Sequence, residues 1–459
     1  MALTSSTNPK NQNPGSKVLT QFVVGVRFSS LNTVPYKLII DLNKLMYNFI
    51  WNSKREKVKR SVLLNPIQNG GLGMIDLHAK FKSVLLSWFT NFVNCNLDVS
   101  WRFMFEYWIE KICPIPLLLN SNCSSKDMLI LCKKHKIPNF YVQCLIAWSE
   151  IKYIDFMCVT NVSKEILWYN SNIKFEGETL FFKEWYCNGL LSLGDILVNG
   201  RFKSRDFICN TLESNSLLVD FKYTKLKHAI PRVWVQRTRD HVSTRDNRIR
   251  DYDSDTYEIK TLDTINLSLM KSKQFYTILR DLKIVDVAVL AFWEERLNLG
   301  GEFNWKDILS FKFKTIKNNR VKQCNFKTIH CILPYRYNLM KWKIVSENSC
   351  IFCAASESFI HVLLECPQVS LFWKKVAELI YVNFNVKIVL NEKLLIIGLD
   401  FNLPNAIHIN IIVSYAQYVI YKMYMLNYFQ GKTYNANILW HVLKNELVLD
   451  NASVLSNLF

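Results

Sequence analysis

Leu38, Leu42, Leu45, Met46 and Phe49 recur at helical spacing and predict a helix over 36–52. A second helix is predicted over 74–94. It follows Asn69-Gly70-Gly71-Leu72-Gly73, which reads as a turn demanding positive φ. The turn lacks the Gly-Lys-Ser/Thr ending of a phosphate-cradling loop. Residues 95–215 read as mixed helices with aromatic cores, such as WRFMFEYWIEKI from Trp101, and assign no chemistry. Helical patterns return over 268–300, 305–345 and 386–429. The most apolar of these, 407–429, is interrupted by His408, Asn410, Gln417 and Lys422. It falls short of the roughly 18 clean apolar residues of a membrane span and reads as a buried helix.

Composition agrees with a helical chain. Of 459 residues, Gly (13) and Pro (11) together make about 5%, against roughly 12% in average usage. Half the residues are hydrophobic and 21% are charged, a globular balance with enough chain for two or three compact units. The formal charge is +19. A surplus of that size favours a polyanionic partner, RNA or DNA before an anionic membrane. The polar N-terminus MALTSSTNPKNQNPGSK has no apolar segment of a secretory signal. The expected location is therefore cytoplasmic or nuclear, not secreted, and the 13 cysteines are expected as reduced thiols.

Ten of those cysteines are scattered. The other three stand with a histidine in CIFCAASESFIHVLLEC, giving Cys350-x2-Cys353-x7-His361-x4-Cys366. Three thiolates and an imidazole suit one zinc ion in a closed tetrahedron, structural because no position is left open. His361 and Cys366, five apart, cannot face one ion from a straight helix. Pro367 supplies the break: a short helix over about 357–364 ends near Leu364 or Glu365, and a second begins at Pro367. That second helix should bury Phe372, Trp373, Val376 and Leu379. Cys123-x8-Cys132-x2-His135 has three candidate ligands and no C-x2-C, and reads as core.

Three basic stretches are candidates for phosphate contact. The first, 52–60, carries Lys54, Arg55, Lys57, Lys59 and Arg60 beside Trp51. The second, 222–250, has nine Lys or Arg against two Asp, with Arg232, Arg237 and Arg239 around Trp234, a candidate for stacking on single-stranded nucleic acid. An exposed linker is the equal reading. The third runs from Lys312 to Lys327 and includes Lys317, Arg320 and Lys322. DYDSDTYE after residue 250 opens like a calcium loop, but Thr256 and Leu262 stand where Gly and a bidentate Glu are required. Asp251, Asp253 and Asp255 are expected to neutralise neighbouring arginines or face solvent.

The flanks of the cysteine cluster carry a resemblance. Phe326-Lys327-x2-His330, Leu333-Pro334, Tyr337-x-Leu339-x-Lys341-Trp342-x-Ile344, Cys350-x2-Cys353, Glu357-x3-His361, Glu365-Cys366-Pro367 and Phe372-Trp373 follow one another. This order resembles the zinc-binding region of reverse transcriptases from LINE-type (non-LTR) retrotransposons. Residues 34–89 resemble the segment after the polymerase thumb in the same family, through Phe49-Ile50-Trp51, the basic run, Leu63-Leu64 and Gly70-Gly71-Leu72-Gly73. The resemblance implies a part that grips template RNA or target DNA in target-primed reverse transcription, together with the rest of such a polymerase. It also implies that the palm would precede residue 34, where only 33 residues stand, and the chain holds no Asp-Asp pair for two metal ions. The expectation is a non-catalytic C-terminal portion with no small-molecule substrate and no membrane contact. A helical zinc-stabilised scaffold, or a remnant without function, is the alternative. His330 is expected as a core or hydrogen-bonding residue.

The expected architecture is mainly α: two helical sub-domains with a small structural zinc knuckle between helices. Its parts are a flexible lead 1–33, a helical region 34–215, a basic linker 216–265, helices 266–345, the knuckle 346–380, and C-terminal helices and tail 381–459.

Overall fold

The computed structural model describes residues 36–52, 55–93, 101–214, 216–240, 256–258, 264–300 and 303–450. The lead 1–33, Lys54, residues 241–250 with Asp251, Asp253 and Asp255, and the tail beyond 450 lie outside the described residues. The described chain is mainly α-helical, and its strands pair only as three two-stranded antiparallel hairpins.

Residues within 36–52 and 76–282 group into one compact unit. Helix Leu77–Val93 packs against Asn139–Lys152 and Ser272–Asp281. It starts later than residue 74 because Asp76 caps it, its Oδ1 accepting the Ala79 N–H at 3.1 Å. The core is aromatic. Trp148, Trp168 and Trp234 are fully buried, and their indole N–H groups donate to Leu119 O, Leu190 O and Phe156 O. Residues expected as a linker contribute to it. Helices Leu217–Ala229 and Arg232–Asp240 bury Tyr223, Leu226 and Trp234 in this core. In helix Tyr36–Trp51 the helical spacing holds, but the buried residues are Ile39 and Tyr47, while Leu45 and Phe49 are exposed.

Residues 55–75 and 283–450 belong to the second unit. The glycine turn is fixed from three sides. Gly70 stops a short 3-10 turn with φ 80°. A Cβ on Gly71 would lie 2.1 Å from Asn65 O and 2.5 Å from Val62 O, so only glycine fits. Asn65 exchanges two hydrogen bonds with the backbone of Val285, and His330 Nε2–H donates to Gly70 O at 2.8 Å. His330 is thus a half-buried, hydrogen-bonding residue.

Helix Ala406–Gln430 packs against Asn319–Ile329, Pro367–Phe384 and Ala436–Asp450. It is buried on every side over most of its first four turns. Three of its polar residues bond to neighbouring segments. Asn410 accepts from Leu399 N–H and donates to Leu399 O, Gln417 Nε2 donates to Leu395 O, and Lys422 pairs with Glu446 at 2.6 Å. Among the described residues no helix is long and apolar enough to cross a membrane.

Burial holds the His330 imidazole below its ordinary value of 6.5, against the opposing effect of its bond to Gly70. The folded unit therefore disfavours the protonated ring. Its stabilising contribution is complete above the unfolded value and is lost as pH falls through the folded one. Urea unfolding of the second unit should weaken between about pH 7 and about pH 5 more steeply in the native chain than in His330→Gln. Parallel pH curves for the two would contradict this assignment.

Candidate metal centre

The short segment Ser349–Ser356 folds back on itself, with Ser349 and Ser356 bridged in antiparallel fashion. Cys350 N–H donates to Ala355 O, and Ala354 N–H donates to Cys350 O, both at 2.7 Å. Ala354 takes the left-handed conformation, φ 62°, which closes the turn. This loop turns backbone N–H groups of Phe352 and Cys353 toward Cys350 Sγ.

The second half solves the five-residue spacing by a wide turn. Residues His361–Glu365 coil as a π-turn, and Cys366 N–H donates to His361 O at 2.8 Å. Cys366 is extended, φ −55° and ψ 130°, and Pro367 opens the helix Pro367–Phe384 as the sequence predicts. The N–H groups of Gln368 and Val369 at that helix start point at Cys366 Sγ. Phe372, Trp373, Val376 and Leu379 are buried, and Trp373 Nε1–H donates to Leu363 O at 2.8 Å, supporting the wide turn from below.

Together these turns bring Cys350 Sγ, Cys353 Sγ, Cys366 Sγ and a His361 ring nitrogen within 4.8 Å of one another. Cys350 Sγ lies 4.0 Å from Cys366 Sγ, and Cys353 Sγ 3.3 Å from His361 Nε2. The Cys366 thiol is held below its ordinary value, first by the hydrogen bond from Cys350 and then by the two backbone N–H groups, against burial. The Cys350 thiol is pushed up by giving that bond and by burial. Cys350 thus donates toward Cys366, and a cation among the four atoms would replace that contact. The four side chains could bind one metal ion. Among the described residues no other group of three or more His, Cys, Asp or Glu is so gathered. Cys123 and Cys132 are buried core thiols, each pushed up to about 12 chiefly by burial.

A residue to which the sequence assigned no role ties this cluster to its surroundings. Glu357 is buried, and its two carboxylate oxygens accept from Tyr337 N–H at 2.9 Å and Tyr424 O–H at 2.8 Å. Tyr424 Oη in turn accepts Arg336 N–H at 2.8 Å, and Arg336 Nη1 donates to Ser349 O and Oγ. Glu357 stood in the sequence as a fixed spacing before His361. Its burial, and hence its use, needed Tyr424 from a helix far along the chain.

The candidate phosphate-contacting residues divide. In the second unit Arg55, Lys59, Lys317 and Arg320 are exposed, and Lys322 is half-buried. Arg60 chelates Glu56 at 2.6–3.0 Å, and Lys57 Nζ lies 3.8 Å from the centroid of the Trp342 ring. Lys312 is buried, donates to Leu395 O and is pushed down to about 8 by burial, so it presents no charge to solvent. In the first unit Arg232 and Arg239 are exposed, and Arg237 donates to Val159 O and Met157 O. Trp234 corrects the sequence expectation. It is 0% exposed and cannot stack on a base, because its ring lies in the core of the first unit with its indole N–H on Phe156 O. No family model matches the chain, and no curated protein is significantly similar to it.

Tyr424→Phe leaves Glu357 with one donor and the Arg336 N–H with no acceptor. It should destabilise the second unit by about 2 kcal/mol in urea unfolding. Glu357→Gln keeps an acceptor for Tyr337 N–H and should cost less. A Tyr424→Phe chain as stable as the native one would contradict the role given to this carboxylate.

Proposed function

We propose that the chain is a zinc-stabilised module that binds single-stranded RNA or DNA. One observation carries the reading: the C-x2-C loop and the wide turn converge three sulfurs and an imidazole on one point. A tetrahedral zinc centre has ligand–ligand edges of about 3.5–3.8 Å, from zinc–sulfur bonds of about 2.3 Å and zinc–nitrogen bonds of about 2.0 Å. The separations of 4.0 Å and 3.3 Å bracket that range. All four positions are filled by protein, which suits a structural ion. When bound, zinc would cross-link the loop to the helix start; no reaction step is assigned to it.

The polyanionic partner rests on the net charge of +19 and on exposed cations such as Arg55, Lys59, Lys317 and Arg320. The resemblance to the C-terminal part of LINE-type reverse transcriptases supports the same reading and gives it a place: holding template or target strand beside a polymerase. The reading assigns no catalytic residue to this chain. Phosphate contacts position a strand without reading its sequence, so no sequence preference is expected.

Elemental analysis should find about one zinc per chain, released by a chelator with local loss of helix, and Cys350→Ser or His361→Ala should lose it. Affinity for a single strand should fall with salt by a log–log slope of about −0.7 per phosphate contact. Five contacts give about −3.5, or roughly a hundredfold over a fourfold rise in salt. A folded preparation without zinc would overturn the metal assignment, and a flat salt response the nucleic-acid assignment.

A further inference from the structure

Within the second unit the basic run 55–60 and the helix Arg336–Lys341, far apart in sequence, meet through an aromatic ring. Lys57 Nζ sits 3.8 Å from the centroid of Trp342, the residue that ends that helix. On the same helix, Lys341 Nζ sits 4.2 Å from the centroid of Tyr337, five residues before Trp342. Both rings are half-buried, with one part packed and one part facing water. Next to these residues in sequence, Arg55, Lys59, Lys341 and Lys343 are exposed, as is the apolar Ile344 (59%). The opposing charge is small. Glu56 is taken up by Arg60, and Glu347 is the one acidic residue between 336 and 349.

The backbone favours a different residue at one of these positions. Lys343 has φ 59°, and its N–H donates to Met340 O while Ile344 N–H donates to Leu339 O. This is the left-handed stop of a helix, where glycine is free of strain and lysine is not. A strained lysine thus stands next in sequence to the half-buried Trp342 ring.

We infer that Trp342, with Lys57, Lys341 and Lys343 around it, is a stacking platform for a single-stranded nucleic acid. The inference rests on the binding function proposed above and names the surface that performs it in this unit. Planar half-exposed rings accept bases, and the surrounding ammonium groups meet the phosphates between them. An acidic peptide would use the charges but not the rings. Lys57 is half-buried over this ring, so a base must displace it, and a base stacked on the same face is worth more than a lysine–ring contact near the surface. On binding, its ammonium exchanges the ring for a phosphate.

The test is fluorescence anisotropy of labelled oligouridylate and oligothymidylate with the full chain over a salt series. Trp342→Ala should weaken binding about tenfold, the effect of one lost stacked base, with the salt slope nearly unchanged. Lys343→Gly should weaken binding and lower the slope by about 0.7, one counterion, while its thermal midpoint stays level or rises. That variant removes the charge and relieves the strain, so loss of fold cannot explain its effect. A loss on either strand supports the platform and tells whether RNA or DNA is its source of bases. Native-like binding by both variants, in a chain that does bind, overturns the platform and leaves the broader function standing. So does an equal loss from Lys374→Gln, an exposed lysine on helix Pro367–Phe384, or preference for phosphatidylserine vesicles over both oligonucleotides. No binding by the native chain overturns the broader function itself.

Discussion

One buried carboxylate joins the cysteine loop of the second unit to two of its helices. Glu357 lies between the C-x2-C loop and the wide turn. It accepts one hydrogen bond from the first turn of helix Arg336–Lys341 and one from Tyr424 of helix Ala406–Gln430. Burial raises its pKa, and the donors from Tyr337, Tyr424 and the nearby Arg336 oppose that rise. A buried carboxylate without such donors would be far more costly than the net gain of any one bond. The position of the cysteine loop, the platform helix and the central helix are therefore conditions for one another.

The Cys3His cluster, which could hold one metal ion, fits into this arrangement as a substitute for core. The loop from Ser349 to Ser356 has little apolar surface to bury, and its cysteines are the means by which it is fixed. Backbone N–H groups aimed at Cys350 and Cys366 stabilise negative sulfur before any ion is considered. The helix Pro367–Phe384 then carries the cluster to solid packing, through Phe372 and Trp373 beneath the wide turn. Charge is used sparingly by comparison. Several basic residues are spent inside the fold, Lys312 on Leu395 and Arg237 on two carbonyls, so the surplus available to a partner is smaller than the sequence total.

Local signals were legible in the sequence. The break at Pro367, the buried face of the helix after it and the gathering of three cysteines and a histidine that could hold a metal follow from spacing and from proline's effect on its predecessor. Gly70 and Gly71 were legible as a turn for the same local reason. What spacing did not reveal was the partner of each face. Trp234 and Trp342 both stand among basic residues, yet one is core and the other half-exposed, because the elements that cover the first arrive from residues near 156. Leu45 and Phe49 keep their helical spacing but not their burial. Within the linker expected at 216–265, a run of charge hid two helices, Leu217–Ala229 and Arg232–Asp240, that bury Tyr223, Leu226 and Trp234.

The central claim is that the Cys3His cluster and the platform helix form one cooperative piece through Glu357. Amide hydrogen exchange before and after removal of bound metal by a chelator tests it directly. Residues 336–344 should lose protection together with 349–369, while helices Leu77–Val93 and Asn139–Lys152 keep theirs. Loss of protection confined to 349–369, with 336–344 unchanged, would contradict the claim.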